Sequence, residues 1–168
     1  MNMIDNAIHA LSIKSYSEYE LRQELEMRYG ALLDLENAIN QTMDYLKSHQ
    51  IINDRHLARH LAQHYAHKGD RFIENILKQR KIKSEYINEA LRSIPEERTR
   101  AWEESHKKLI NNYKNEISEQ EKINIISRFL SGRQFSTHVI NETLSRLNKV
   151  DFIKLKPLPN WYQNNMAS

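Results

Sequence analysis

The sequence predicts an all-α protein built as three tandem three-helix repeats forming an elongated, curved array, and three observations point there. Apolar residues recur at spacings of three and four, the period of amphipathic helix, and only three glycines and three prolines interrupt 168 residues. Ile39, Met43 and Leu46 share a cadence with Ile87, Leu91 and Ile94 and with Ile140, Leu144 and Leu147, a repeat of about 50 residues. The segment before each copy repeats as well: Leu21 and Leu25, then Ile73 and Leu77, then Ile126 and Leu130, each pair followed three residues on by Arg28, Arg80 or Arg133. A unit of that size cannot bury a stable core alone, so the repeats must lean on one another. Nine helices side by side at about 10 Å would reach on the order of 80 Å, whereas a compact chain of this length has a radius of gyration near ~15 Å.

The first unit, residues 1–50, opens with a short helix around Asp5 to Lys14 that carries Ala7, Ala10 and Leu11 on one face. Ser17 and Glu20 read as a capping box, in which hydroxyl and carboxylate satisfy the free amides of a helix start. That helix runs through Leu21 and Leu25 and should stop at Gly30 in a left-handed cap. A third helix covers roughly 36–48. In the second unit, residues 51–94, Asn53 or Asp54 caps a helix through Leu57, Leu61 and Tyr65, Asp70 caps the next, and Ser84 the third. The third unit, residues 95–150, starts at Pro95 as a first helical residue and runs a long helix to about Asn115. Ser118 with Glu121 repeats the capping box, and Ser136 or Thr137 caps the last helix. From 151 to 168 the prolines Pro157 and Pro159 forbid regular helix, and a flexible tail is expected, with Phe152, Trp161 and Tyr162 as apolar anchors should it dock.

Net charge is +3, unevenly spread. Residues 1–50 hold four Lys/Arg against eight Asp/Glu, residues 51–94 nine against five, and residues 95–150 ten against eight. An acidic leader joined to two basic followers suits a partner presenting both signs, or a polyanion at one end. With no cysteine, a disulfide framework, a thiol nucleophile and a cysteine zinc cluster are all excluded. The N-terminus lacks the basic start and apolar run of a signal peptide, and no stretch approaches spanning length, so a cytoplasmic protein without membrane contact is expected.

Several segments carry a family likeness. SEYELRQEL, from Ser17 to Leu25, resembles the Ser-Glu-x-Glu-Leu-Arg-x-x-Leu signature near the start of the bacterial RecX regulators. HQIINDRHLARHLAQHYAHKG, from His49 to Gly69, is similar to their loop, Asp-type cap, helix of small and aromatic core residues and closing Lys-Gly. ILKQRKIKSEYINEAL and EKINIISRFLSGRQFSTHVINETL fall where that family ends helices in Leu-x-x-(Lys/Arg)-Gly-(Ile/Phe). The likeness spans about residues 5–147. The chain departs from it at Gln50, Lys81 and Gln134, where the family commonly has glycine, and at Asp70-Arg71-Phe72, where it has a Gly-Pro element. The resemblance implies tandem three-helix repeats that lie along the groove of the RecA filament on DNA, inhibit its ATPase and strand exchange, and limit its growth. It implies RecA as partner, with DNA inside the filament as a second contact, and a monomer with no cofactor.

The densest basic group is Arg71, Lys78, Arg80, Lys81 and Lys83, joined by Arg55 and Arg59 on the preceding helix. Such cations suit acidic patches on a filament or DNA phosphates, although cations at a helix C-terminus also simply oppose the backbone dipole. His56, His60, His64 and His67 fall on one face opposite the stripe of Leu57, Leu61 and Tyr65. Pairs at i and i+4 can bind zinc, and histidines beside Arg55 and Arg59 gain charge below about pH 6.5, but a solvated polar face accounts for them best. No carboxylate or thiol completes a metal site, so none is assigned. Arg22, Arg28 and Arg133 suit a packing role through their stems. Trp102 and Tyr113 suit packing between repeats better than base stacking. No phosphate-cradling loop, nucleophile elbow or paired carboxylate is identified, so no catalytic residue is assigned and no enzyme is expected.

Overall fold

A computed structural model describes residues 2–112 and 117–147, and among these residues the regular structure is entirely helical, with nine helices and no strand. In order they are α1 (Met3–Ile13), α2 (Glu18–Tyr29), α3 (Leu35–Ser48), α4 (Asp54–His64), α5 (Asp70–Gln79), α6 (Ser84–Arg92), α7 (Glu97–Asn112), α8 (Glu119–Gly132) and α9 (Thr137–Leu147). The tail from 151, Tyr113 and the end of the long helix lie outside the described residues.

Local chemistry sets most of the helix starts. Asn2 accepts the Asp5 N–H at 2.8 Å and Asn53 the His56 N–H at 3.0 Å, so Asn53 rather than Asp54 caps α4. Both capping boxes form: Ser17 and Glu20 exchange bonds at 2.8 and 3.2 Å, and Ser118 and Glu121 do so at the same distances. Two expected caps have their side chains employed elsewhere, and a third residue is shifted into its helix. Asp70 is the first residue of α5, and its carboxylate holds the Arg100 guanidinium. Lys83 occupies the cap position of α6, leaving Ser84 as the first helical residue. The Ser136 hydroxyl donates to Glu97 at 2.9 Å. Pro95 precedes its helix by two residues, which leaves its carbonyl to accept Arg100 Nε at 2.7 Å.

Left-handed caps form at other residues than the predicted one. Gly30 ends α2 with φ −53°, in the right-handed region. Gln50, Lys81 and Gln134 have φ of 55°, 58° and 59°, and these are the positions where the resembled family carries glycine. Each builds the same motif. The left-handed residue donates three back, Gln50 to Lys47 at 2.9 Å, Lys81 to Lys78 at 3.0 Å and Gln134 to Ser131 at 2.9 Å. Its successor donates five back, Ile51 to Leu46 at 2.8 Å, Ile82 to Leu77 at 3.1 Å and Phe135 to Leu130 at 3.2 Å. These paired bonds hold the backbone of the helix ends in place without a glycine at the left-handed position.

Each consecutive triplet of helices encloses its own apolar cluster. Ala7, Leu21, Leu25, Ile39, Met43, Leu46 and Ile52 form the first. Ala58, Ala62, Ile73, Leu77, Ile82, Ile87, Ala90 and Ile94 form the second. Ala101, Leu109, Ile126, Leu130, Phe135, Val139, Ile140 and Leu147 form the third. The residues that set the sequence cadence are the centres of these clusters: Leu21, Leu46, Leu77, Ile126 and Leu130 are all fully buried. Full burial of one such side chain contributes about 2 kcal/mol, so three small clusters need contacts between triplets as well.

By contact density the chain divides into two compact units. One contains Met1–Tyr65 and Ile73–Ile94; the other contains Ala66–Phe72 with the described residues from Pro95 onward. In the first, the Asp54 carboxylate accepts the Glu18 N–H at 2.8 Å, and Arg80 donates to the Ser15 carbonyl at 2.6 Å. In the second, the Glu97 carboxylate accepts the Asp70 N–H at 3.2 Å, and Arg133 donates to the His67 carbonyl at 3.0 Å. These two pairs of contacts are equivalent by position. Asp54 and Glu97 each open the first helix of a triplet, and Glu18 and Asp70 each open the second helix of the triplet before. Ser15 and His67 each lie three residues ahead of that second helix, and Arg80 and Arg133 each follow the second helix of their own triplet.

Candidate partner-binding surface

The predicted basic residues separate into internal and external groups. Arg80 is internal. Its side chain is 16% exposed, and it donates to both oxygens of Glu20 at 3.1 Å through Nε, to Oε2 at 2.7 Å through Nη2, and to Ser15. Burial raises the Glu20 pKa, but the Arg80 bonds and charge and the Ser17 amide outweigh it and hold the carboxyl below its ordinary value. The arginine is therefore a clasp within the first unit rather than part of an open surface.

Lys78, Lys81 and Lys83 are exposed around the end of α5 and the turn that follows. Lys78 pairs along its helix with Glu74 at 3.0 Å, a contact of a few tenths of a kcal/mol at ~0.3. The left-handed backbone of Lys81 puts this side chain at the apex of the turn. Lys83 Nζ lies 6.0 Å from the Tyr86 ring centre, and Arg55 reaches the same ring from α4 at 5.1 Å. Arg55 and Arg59 both meet Glu89 of α6, at 3.2 and 3.5 Å, with Glu85 3.9 Å from Arg55. Both arginines remain about half exposed, at 47% and 49%, so their contacts orient them without removing them from solvent. One surface of the first unit thus carries Arg55 and Lys83 around Tyr86, with Arg59 sharing Glu89 with Arg55. Arg71 is exposed in the first turn of α5, on the 66–72 segment that groups with the second unit.

Of the four histidines, His56, His60 and His64 are exposed on α4 and His67 is half-buried in the turn beyond it. His56 lines an open cleft with Tyr16, Gln50 and Leu57, and His64 meets the Tyr65 ring edge-on at 4.7 Å. Among the described residues no group of three or more His, Asp or Glu side chains converges as metal ligands. Trp102 is half-buried against the third cluster, and Arg146 stacks over it at 4.2 Å, both contacts lying within the third triplet.

The second unit contains a feature that periodicity alone does not show. α7 buries a row of polar side chains: Arg100, Glu103, Glu104, Ser105 and His106. Arg100 donates to the carbonyls of Pro95, Ala66 and Lys68 and to Asp70, so one guanidinium organises the whole 66–70 turn. Burial lowers its pKa, opposed by Asp70 and Glu97. Glu104 pairs with Arg133; burial raises its pKa, and the arginine opposes the rise. Glu103 has no such partner for Oε2, and burial, with Glu104 beside it, pushes its pKa to about 7. A long helix with few apolar residues is the sequence signal for this arrangement, because burying such a helix requires partners for its polar groups on the neighbouring segments.

No family model matches the chain. It is 30% identical over 93 residues to the regulatory protein RecX of Vibrio campbellii, an alignment covering 54% of this chain and 57% of that protein. It is 28% identical over 149 residues to the regulatory protein RecX of Vibrio vulnificus, covering 86% of this chain and 92% of that protein. Among solved structures it resembles that of RecX from Lactobacillus salivarius, with TM-score 0.68 and 23% identity over 88% of this chain and 95% of the other. A second crystal structure, of a regulatory protein RecX, matches with TM-score 0.61 and 20% identity over 84% of this chain and 70% of the other.

Proposed function

We propose that the chain is a regulator of the RecX type, which binds the RecA filament and inhibits its ATPase and recombinase activity without catalysing a reaction itself; its similarity to two regulatory proteins RecX supports this reading. The observation that carries this reading is the likeness to a regulatory protein RecX across 86% of the chain. The surface chemistry fits it. Arg55, Arg59, Lys81 and Lys83 stay exposed on well-anchored helices and turns, an arrangement suited to acidic side chains or to phosphates. No helix among the described residues is long and apolar enough to cross a membrane.

RecA-catalysed ATP hydrolysis on single-stranded DNA, with and without the chain, tests the proposal directly. A fall in hydrolysis that saturates with added chain is expected; unchanged hydrolysis would refute it. The exposed cations also support a second reading, sequence-nonspecific DNA binding without RecA. Binding to bare and to RecA-coated DNA across a salt series separates the two. Equal affinity for both with a steep salt slope would favour direct DNA binding, since released counterions then supply the affinity.

A further inference from the structure

The arginine clasp is filled twice within the chain, and among the described residues a matching arginine, Arg28, and a matching capping-box carboxylate, Glu121, take no part in a clasp. Arg80 follows α5 and Arg133 follows α8, and each reaches the carbonyl three residues ahead of the second helix in the preceding triplet. Arg28 has the corresponding place near the end of α2, the second helix of the first triplet. Its side chain is 46% exposed and meets Glu24 of its own helix at 2.9 Å. Exposed Leu32 and Leu33 follow it.

The matching receptor is at the start of α8. In the first unit Arg80 clasps Glu20 while Glu20 accepts the Ser17 N–H at 2.8 Å. Glu121 accepts the Ser118 N–H at the same 2.8 Å, in the same capping box, and among the described residues no cation pairs with it. One chain therefore carries both a spare arginine and a spare capping-box carboxylate, in sequence contexts that already fit each other once inside it.

We propose that the end of α2 in one copy docks on the start of α8 in a second copy, with Arg28 clasping Glu121 as Arg80 clasps Glu20. A second copy is the occupant because the required receptor is one this fold already builds. The surrounding charge agrees, since residues 1–50 have twice as many acidic as basic residues while residues 95–150 have a basic excess. The contact is head-to-tail, so it propagates from copy to copy or closes into a ring. It is also weak. α1 opens on Met3 where α4 and α7 open on Asp54 and Glu97, so the carboxylate-to-amide contact that accompanies the clasp inside the chain is missing here. Copies are separate when dilute and meet at high local concentration, as when held side by side on a polymer.

Sedimentation equilibrium of the full chain up to millimolar concentration tests this. At low ionic strength the weight-average mass should rise with concentration, and added salt should suppress the rise. Arg28→Glu and Glu121→Arg should each abolish it, and the two substitutions together in one chain should restore it. Glu121→Gln keeps an acceptor for the Ser118 amide and removes the charge, so it should weaken association with the thermal midpoint unchanged. A mass that stays monomeric at every concentration overturns the proposal. So does association that survives Arg28→Glu, which would place the contact on another surface.

Discussion

The backbone N–H of Gly69 donates to the carbonyl of Arg133 at 2.9 Å, and the turn leading into α5 lies against the end of α8 with no space for a side chain between them. A Cβ at Gly69 would overlap the carbonyl group of Gln134 and stand 2.5 Å from the Cα of Phe135. Both neighbours are backbone, so neither can rotate away. Gly69 has no positive φ, and space rather than conformation requires glycine here. Gly69→Ala should cost about 2 kcal/mol or more in urea unfolding, and hydrogen exchange should quicken first in residues 66–72 and 133–136. An unchanged midpoint would mean that the two segments separate freely.

Gln50 and Gln134 make the opposite case, since their left-handed backbones are ones that L residues adopt at a cost of about 1–2 kcal/mol. Glycine removes that cost but adds freedom to the unfolded chain, which takes back roughly 0.5–1 kcal/mol. Gln50→Gly and Gln134→Gly should therefore each stabilise by about 0.5 kcal/mol, seen as a small rise in Tm, while alanine at either position should give none. A fall in Tm with glycine would show that the glutamine side chains contribute contacts of their own.

These positions also show what was legible from residues alone. The helix count, the capping boxes and the core stripes follow from periodicity and hydroxyl-carboxylate spacing, because those are interactions within one helix turn. The clasps were not legible. Arg28, Arg80 and Arg133 occupy one place in the repeat, yet Arg80 spans 65 residues to Ser15, Arg133 spans 66 to His67, and Arg28 pairs four residues away. Their fates depend on which triplet precedes them, and that is tertiary information. For the same reason Arg80, grouped by sequence with Lys78, Lys81 and Lys83 as surface, is largely removed from solvent. Asp70 and Ser136, read as caps, are drawn instead to Arg100 and Glu97 by contacts about 30 to 40 residues distant.

Glu103 makes stability depend on pH. Burial, then the nearby Glu104 charge, raises its pKa from 4.5 to about 7, with Arg100 opposing. The folded state therefore holds the proton more tightly than the unfolded state does. Its protonated form stabilises the fold fully below about pH 4.5, and this contribution is lost as pH rises toward 7. Glu103→Gln should raise stability at pH 8 by up to about 2 kcal/mol and change little at pH 4, as read by urea titrations at the two values. Equal effects at both pH values would mean that the carboxyl does not titrate in this window.

Arg80 and its exposed neighbours should be separable by stability and function. Arg80→Ala leaves the half-buried Glu20 without its guanidinium and the Ser15 carbonyl without a donor, so a loss of about 1–3 kcal/mol is expected. The Glu20 pKa is depressed in the fold, so this contribution is present above about pH 4.5 and disappears as pH falls through the lowered value. Lys81→Glu with Lys83→Glu touches only exposed side chains and should leave the unfolding midpoint within about 0.5 kcal/mol. At a temperature where both variants are fully folded by circular dichroism, the lysine variant should lose inhibition of RecA ATP hydrolysis and the arginine variant should keep it. The reverse result would move the partner contact from the exposed turn after α5 to the clasp itself.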